Sequence, residues 1–148
     1  MKRMLLVLGV LMASFVSASP VHAAAGGISC HEINATASGQ DSGNNSTGAQ
    51  VLGGGLLHGT LVATFSPTGG GLFTGTETFR TRQGTLTVGI TASFNFTTGD
   101  FAASGPVTGA TGKLAGATGS LSFAGNENLQ SGSFSERITG SICVDMSP

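Results

Sequence analysis

The sequence predicts an all-β protein, a single antiparallel β-barrel of about eight strands that follows a cleaved N-terminal segment. Apolar residues alternate with Thr, Ser and Gly over long stretches between residues 57 and 144. Short Gly-rich turns separate these stretches, and all eight phenylalanines after residue 23 fall on the apolar side of their strand. Strands joined by short turns pair antiparallel, and closing the sheet removes its exposed edges.

The first 23 residues have the pattern of a secretory signal peptide. Met1-Lys2-Arg3 is a basic start, residues 4–16 are mostly apolar, and Val21-His22-Ala23 places small residues where a signal peptidase reads. The apolar run is shorter than the roughly 20 residues that a membrane span needs. We therefore expect cleavage after Ala23, export to the periplasm or the cell exterior, and one mature domain over residues 24–148.

The mature chain carries few charges. It has seven acidic residues and four basic ones, which gives a formal net charge of −3; the basic residues are Arg80, Arg82, Lys113 and Arg137. Nucleic-acid binding and docking on an anionic membrane both need clustered basic residues, so we expect neither partner, and no membrane insertion. Trp and Tyr are absent, which disfavours a carbohydrate-binding surface.

Two cysteines near the ends of the mature chain predict a disulfide. An exported protein keeps its cysteines oxidised, and Cys30 and Cys143 allow a single pairing. The bridge would close a loop of 113 residues. Loop-closure entropy makes such a bridge worth about 4–5 kcal/mol. Cys143 alternates out of phase with the apolar residues around it, so we expect the bridge outside the barrel or at its rim.

The mature domain is expected to begin with a strand over residues 28–37, in which Ile33, Ala35 and Ala37 share one side. The following stretch, 38–50, has Ala49 as its one apolar residue. Such a run of Ser, Gly, Asn and Asp is typical of a flexible polar loop.

Two strands with alternating apolar residues come next. The first has Leu57, Leu61, Ala63 and Phe65 on one side and is expected to end at the cluster 66–70. The second places on one side Phe73, Gly75, Glu77 and Phe79, before a turn at Gln83-Gly84.

The strongest strand signal covers residues 85–97. Its apolar positions are Leu86, Val88, Ile90, Ala92, Phe94 and Phe96, with Thr, Ser, Gly or Asn between them. A period of two over this length predicts a half-buried strand and excludes an amphipathic helix. A bulge near Gly89 would divide or bend so long a strand.

Three further strands complete the prediction. The first, after a turn at residues 98–100, places Phe101, Ala103 and Val107 on one side, with Pro106 needing an edge or a bulge. The second follows a turn at residues 111–113 and aligns Ala117, Gly119, Leu121 and Phe123. The last follows a polar loop over residues 126–132 and aligns Phe134, Glu136, Ile138, Gly140, Ile142 and Val144.

Two other β architectures have similar patterns. An outer-membrane barrel has the same period of two, but it carries interfacial girdles of Tyr and Trp. A β-solenoid is suggested by the near-tandem repeat ATGKLAG-ATGSLSF over residues 110–123, although the repeat does not continue. The isolated barrel is therefore the favoured architecture.

Residues 107–119 resemble a run of the form V-x-G-G-T-G-x-F-x-x-A-x-G in dirigent proteins. The matching residues are Val107, Gly109, Thr111, Gly112, Ala117 and Gly119, whereas Ala110 replaces a glycine and Leu114 a phenylalanine. The closing strand, with Phe134-Ser135, Ile138-Thr139-Gly140 and Ile142, is similar to the last strand of the same group. The chain thus resembles the allene oxide cyclase and dirigent barrel superfamily, including its small exported bacterial members.

This resemblance implies an eight-stranded barrel with an apolar cavity and the capacity to form homo-oligomers. In the plant members such cavities guide ring closure of a fatty-acid-derived epoxide or the coupling of phenolic radicals. The matching residues are structural, and the resemblance does not place the functional carboxylates and asparagines of those enzymes on this chain. The resemblance therefore implies fold rather than activity.

Two carboxylates break the apolar pattern and are the candidate catalytic or ligand-anchoring residues. Glu77 lies between Gly75 and Phe79, and Glu136 lies between Phe134 and Ile138. Burial inside a barrel would raise their pKa. Alternatively, each lies at an open barrel end or pairs with Arg80, Arg82 or Arg137.

No metal or cofactor is expected. His31 and His58 are isolated, whereas a zinc site needs three or four converging ligands. The glycine runs 53–55 and 69–71 lack the Lys-Ser/Thr pair of a phosphate-binding loop, and no Gly-x-Ser-x-Gly nucleophile motif occurs.

Three functions fit the sequence. The favoured one is non-enzymatic binding of an apolar small molecule between phenylalanine walls, for which the candidates are Phe79, Phe94, Phe96 and Phe134. The second is a cyclase or isomerase that uses Glu77 or Glu136 in the same cavity. The third is a structural protein of the envelope or the cell exterior whose barrel is filled by its own side chains. A cavity of about 300 Å³ or more separates the first two from the third.

Overall fold

Eight antiparallel strands pair in chain order and close into a barrel. The computed structural model describes residues 27–145, so the predicted signal peptide at 1–23 lies outside the described residues. The strands are β1 (Ser29–Gly43), β2 (Ser46–Gly53), β3 (Gly59–Gly69), β4 (Leu72–Thr81), β5 (Gly84–Phe94), β6 (Asp100–Ala110), β7 (Thr118–Glu127) and β8 (Ser133–Val144). Single 3₁₀ turns at Gly55–Leu57 and Gly112–Leu114 precede β3 and β7. The predicted fold class is confirmed.

The barrel closes where β1 pairs with β8, in a register that runs from Ser29 opposite Val144 to Gln40 opposite Ser133. This register places Cys30 directly opposite Cys143, and the two form the predicted disulfide. Cys30 is exposed and Cys143 is half-buried, so the bridge lies on the outer face. The bridge therefore fastens the seam between the first and last strands.

The alternation of side chains is also observed. Inward positions along the strands hold the core residues, among them Ile33, Ala35, Val51, Leu61, Phe79, Leu86, Val88, Leu121, Phe123, Ile138 and Ile142. Thr, Ser and charged residues occupy the outward positions between them. The driving force is burial of apolar area, worth about 25 cal/mol per Å².

The two ends of the barrel differ in how they are covered. At one end, called here the closed end, the 3₁₀ turns bury Leu56, Leu57 and Leu114 over the barrel interior. The β4–β5 turn and the disulfide lie at the same end. The other end, called the mouth, carries the β1–β2, β3–β4, β5–β6 and β7–β8 connections. Coverage by 3₁₀ turns is therefore confined to the closed end.

The expectation of a flexible polar loop over residues 38–50 is wrong. Residues 38–43 continue β1, residues 46–50 begin β2, and Asn44 and Asn45 form the turn with positive φ angles of 54° and 55°. Asparagine tolerates this backbone conformation, and two such residues are typical of a tight hairpin turn. The polar composition reflects the outward face of the hairpin, because Ala37 and Ala49 point inward and are buried.

The expected position of Phe96 is also wrong. Strand β5 ends at Phe94, and Phe96 lies in the β5–β6 turn with 67% of its surface exposed. Asn95 ends the strand, because its side-chain oxygen accepts hydrogen bonds from the backbone N–H groups of Thr97 and Thr98. A side chain that hydrogen-bonds the following backbone competes with strand pairing.

Smaller corrections concern strand ends and a bulge. Strand β3 continues through residues 66–69, and the turn falls at Gly70-Gly71 instead. The bulge expected near Gly89 of β5 belongs to the neighbouring strand: Thr87 pairs with Gly109 and Val88 with Val107, which leaves Thr108 of β6 as the extra residue. This bulge lies two residues from Pro106, the residue for which an edge or a bulge was expected.

Candidate functional site

A cavity of about 330 Å³ occupies the mouth half of the barrel. Apolar side chains from five strands form its walls: Leu61, Ala63, Phe65, Phe73, Ala92, Phe94, Phe101, Ala103 and Phe134. Phe96 and Leu129, from the β5–β6 and β7–β8 connections, also line it and are exposed. Two buried carboxylates, Glu77 and Glu136, complete the lining together with polar residues of the mouth.

Three small inward side chains leave part of this half free. Ala63, Ala92 and Ala103 line the cavity, whereas Phe79, Leu86 and Phe123 fill the interior nearer the closed end. Phe79 and Phe123 stack there with ring centroids 6.3 Å apart, and both are almost fully buried. The closed half is thus solid, and the mouth half has an interior space.

The phenylalanines of the mouth half form two contact groups. On one side, ring centroids are 6.4 Å apart for Phe65 and Phe73, 6.4 Å for Phe73 and Phe96, and 5.1 Å for Phe94 and Phe96. On the other side, Phe101 and Phe134 meet edge-on at 6.0 Å. These separations are typical of favourable aromatic pairs. The ring faces and edges give the cavity a rigid apolar wall.

Two glycines make room for the second group of rings. A Cβ atom at Gly39 would lie 2.6 Å from the ring of Phe134, and one at Gly125 would lie 2.5 Å from the ring of Phe101. The rings therefore lie against bare backbone on strands β1 and β7. Without these glycines both rings would be displaced from their present positions.

Glu77 of β4 and Glu136 of β8 reach the cavity from opposite walls, because their strands lie four apart in a ring of eight. Glu77 pairs across the sheet with Ala63 and Val88, and Glu136 pairs with Ala37 and Gly125. These neighbours are mostly small, which leaves space for a carboxyl group. The next inward residues toward the closed end are Phe79 and Ile138, so the two acids stand above the solid half of the core.

Burial controls the electrostatics of this pair. Glu77 is 3% and Glu136 is 7% exposed. Desolvation raises the pKa of Glu136 to about 7. Desolvation, with a smaller contribution from the charge of Glu136, raises the pKa of Glu77 well above its ordinary value. A buried carboxyl prefers its neutral form because a low-dielectric surrounding penalises the charged one.

The alternative that these acids pair with arginines is wrong. Arg80 and Arg137 lie on the outward faces of β4 and β8, and Arg82 is exposed in the β4–β5 turn. Arg137 donates a hydrogen bond to the side-chain oxygen of Asn34 on the outer face. Inside the barrel, Oε2 of Glu77 and Oε1 of Glu136 are buried without a hydrogen-bond partner. A buried polar atom of this kind costs about 1–3 kcal/mol and calls for a partner.

Two further acids, neither of which was predicted from the sequence, line the mouth. Asp41 lies at the end of β1 and Glu127 at the end of β7. Desolvation, and then the charge of Asp41, raises the pKa of Glu127. Glu127 shares the inward parity of Phe123 and Gly125, a signal that was present in the sequence. Asp41 gives no such signal, because its polar stretch has the composition of a loop although it forms a strand.

Hydrogen bonds hold the connections of the mouth. The side chain of Asn126 on β7 donates to the backbone oxygen of Thr98 at 3.0 Å and to Asp100 at 2.9 Å. The hydroxyl of Thr98 also donates to Asp100, and this bond, followed by the one from Asn126, lowers the pKa of Asp100. On the β7–β8 loop, Asn128 accepts from the backbone N–H groups of Gln130 and Ser131. The loops that carry Phe96 and Leu129 are therefore braced.

Three of the four predicted ligand-binding phenylalanines line the cavity, namely Phe94, Phe96 and Phe134. Phe79 does not, and this expectation is wrong. Its ring is fully buried against Phe123 in the closed half, one inward position below Glu77. The alternation of residues predicts correctly that Phe79 faces inward, but it does not predict how far along the barrel axis Phe79 lies.

The histidines lie apart from the cavity. His58 is exposed beside the first 3₁₀ turn, and His31, near the disulfide, contacts the hydroxyl of Ser29 at 2.9 Å. Within residues 27–145, no group of three or more His, Cys, Asp or Glu side chains is arranged to hold a metal ion.

Comparison of the chain with known protein families, with curated proteins and with solved structures gives no match. In the part of the chain that the structure describes, no helix has the length and apolar character needed to cross a membrane. The chemistry of the cavity therefore carries the functional argument.

Proposed function

We propose that this protein is an exported barrel that binds an apolar small molecule in the mouth half of its interior. The observation that carries the proposal is the cavity of about 330 Å³ with phenylalanine walls and an open mouth. Ligand pockets start at about 300 Å³ and are mostly apolar with a few polar groups that fix orientation. Glu77 and Glu136 are those polar groups.

The size of the cavity favours binding over the structural alternative. A barrel filled by its own side chains would continue the packing of Phe79 and Phe123 up to the mouth. Instead, Ala63, Ala92 and Ala103 leave the space between the rings free. The exposed apolar side chains at its entrance, Phe96 and Leu129, are costly to a structural protein and useful to a binding one.

Export and superfamily membership are parts of the same proposal. The basic and apolar start of the chain supports export, and the disulfide is compatible with an oxidising compartment. Apolar side chains face inward, the reverse of a barrel that faces lipid. The closed eight-stranded order and the run over residues 107–119 support a place beside the allene oxide cyclase and dirigent barrels.

The second candidate is a cyclase or isomerase that uses the same cavity. The observation that favours it is the pair of buried carboxyls, because a group with a pKa of about 7 can give and take protons near neutral pH. In that case one neutral carboxyl protonates an oxygen of the substrate, and the other accepts a proton as the ring closes. Such an enzyme would turn over its ligand, whereas a carrier would release it unchanged.

Native mass spectrometry of the protein purified from its own host tests the proposal. We expect a mature mass that corresponds to cleavage after Ala23, a loss of two hydrogens for the disulfide, and an added apolar compound that organic solvent removes. The same spectrum gives the size of any homo-oligomer. A mature protein without adducts that also binds no added apolar compound would contradict the proposal.

Variants separate the two candidates. Glu77→Gln and Glu136→Gln keep the size of each side chain and remove its acid. A carrier would release whatever ligand it binds chemically unchanged, from the original protein and from both variants. An enzyme would convert it, and conversion would be lost in at least one variant.

A further inference from the structure

We infer that the cavity selects an apolar amine, in which an ammonium group lies between Glu77 and Glu136 and the hydrocarbon body lies among the phenylalanine rings. The inference rests on the proposed function and names the chemical class of its ligand. Three separate observations lead to it: the distribution of charge, the unpartnered oxygens and the aromatic rings of the lining.

Charge is strongly segregated in this protein. Four of its seven acidic residues line the cavity: Asp41 on β1, Glu77 on β4, Glu127 on β7 and Glu136 on β8. None of the four basic residues in the described part of the chain does. A cavity that carries one sign of charge in a low-dielectric wall concentrates ligands of the opposite sign. The preferred ligand is therefore cationic.

The two deepest acids lack hydrogen-bond donors. Oε2 of Glu77 and Oε1 of Glu136 are buried without partners, in side chains that are more than nine-tenths buried. An ammonium group carries several N–H donors and no acceptor, so it supplies the donors that both oxygens lack. Hydrogen bonds to charged groups contribute about twice as much as neutral ones.

The rings above these acids suit a cation with an apolar body. Phe65, Phe73, Phe94 and Phe96 on one side, and Phe101 and Phe134 on the other, surround the space through which the ligand enters. Aromatic faces attract ammonium groups within about 6 Å of the ring centre. They offer nothing to the hydration shell of a bare metal ion. The lining therefore favours an organic cation with a hydrocarbon tail.

Other head groups are disfavoured by the same geometry. A carboxylate ligand would place a further negative charge beside two acids that already repel each other, since the charge of Glu136 raises the pKa of Glu77. An alcohol would satisfy one of the oxygens with a neutral bond and gain no charge attraction. Of these head groups, the amine alone gains both the hydrogen bonds and the charge attraction.

Calorimetric titration with three ligands of one chain length tests the inference: n-octylamine, 1-octanol and octanoate. Near pH 8 we expect the amine to bind ~10-fold or more tightly than the alcohol, and octanoate to bind most weakly. Acid protonates the carboxyls that line the cavity and leaves the ammonium charged. The affinity for octylamine should therefore fall from about pH 8 to about pH 5, whereas that for octanol should stay constant.

Variants assign the preference to the two acids. Glu77→Gln and Glu136→Gln should each lower the ratio of amine to alcohol affinity about tenfold while octanol binding is retained. Glu32→Gln is the matched control, because it removes one carboxyl from the outer face of β1 and should leave the ratio unchanged. If a buried variant fails to fold, Glu127→Gln at the mouth provides the same test with a smaller decrease.

The outcomes of these titrations separate the amine inference from the proposal that the cavity binds an apolar ligand. Equal binding of amine and alcohol, or tighter binding of octanoate, would overturn the amine inference and leave the apolar-ligand proposal standing. An unchanged ratio in the folded glutamine variants would overturn the inference too. Failure of all three ligands to bind the original protein would count against the binding proposal itself.

Discussion

Glu77 on β4 and Glu136 on β8 come from opposite walls of the barrel, and the charge of one raises the pKa of the other. Each has a carboxyl oxygen that is buried without a hydrogen-bond partner, directly above the packed half of the core. A fold selected for stability alone would have an apolar side chain at both positions. The pair therefore carries a stability cost that a ligand can offset.

This pair predicts an unusual dependence of stability on pH. A carboxyl whose pKa is higher in the folded than in the unfolded state stabilises the fold fully at low pH, and the contribution is lost as pH rises toward the folded value. For Glu136 the window runs from about 4.5 to about 7. Across this window the contribution of Glu136 to the free energy of unfolding falls by about 3 kcal/mol, because each pKa unit corresponds to about 1.36 kcal/mol. Glu77 acts in the same direction.

Denaturant unfolding at several pH values checks this prediction. The free energy of unfolding of the ligand-free protein should fall between about pH 4.5 and pH 7, and Glu136→Gln should flatten that fall. Glu32→Gln, on the outer face, should leave the slope as it is. A free energy of unfolding that rises across this window would show that both acids are ionised and stabilised in the folded state.

Phe79 and Phe96 should respond oppositely to substitution by alanine. Phe79 is fully buried in the closed half, so Phe79→Ala should cost about 3–5 kcal/mol of stability. Phe96 is 67% exposed at the mouth, so Phe96→Ala should cost less than about 1 kcal/mol and weaken ligand binding. Thermal unfolding and ligand titration measure the two effects. The prediction fails if Phe96→Ala binds ligand as tightly as the original protein.

Gly125 should resist even the smallest side chain. A Cβ atom there would lie 2.5 Å from the ring of Phe101 and would also clash with the backbone oxygen of Ser135. Gly125→Ala should therefore cost about 1–3 kcal/mol and displace the Phe101 ring into the cavity. Gly48→Ala is the matched control, because a Cβ atom at that strand position meets nothing within 4 Å. Equal stability of the two variants would argue against the contact.

The disulfide should account for a large part of the stability. It fastens the β1–β8 seam and closes a loop of 113 residues. The Cys30→Ser, Cys143→Ser double variant should lose about 4–5 kcal/mol, because its unfolded chain regains the entropy of that loop. Urea unfolding of the original protein, oxidised and reduced, gives an independent value. Coincident midpoints in the two states would contradict the prediction.

Much of this fold could be predicted because strand parity is a local property. Alternation alone placed Glu77 and Glu136 on the inner face and the disulfide on the outer face, and each assignment needs no more than a few neighbouring residues. Closure into a barrel followed from regular turns and a shared apolar face. These inferences do not depend on how far along the axis a residue lies.

Depth along the axis was not predictable from parity. Phe79 and Phe134 share the inward face, yet one is packed in the closed half and the other lines the cavity, because depth follows from register between strands. The ends of the strands were not predictable from alternation either. Phe96 continues the alternating pattern, but it lies beyond the end of β5, where the side chain of Asn95 accepts a hydrogen bond from the following backbone. Asp41 was missed because a polar hairpin has the composition of a loop.

The most direct test of the central claim is a methyl-detected NMR titration of the protein with 1-octanol, followed at alanine and leucine side chains. The account predicts saturable shifts at Leu61, Ala63 and Ala92, which line the cavity, and no shifts at Leu57 or Leu114 in the closed end. Ala103→Phe, which fills the cavity, should abolish them. Absent or unsaturable shifts at the lining residues, or shifts that persist in a folded Ala103→Phe variant, would contradict it.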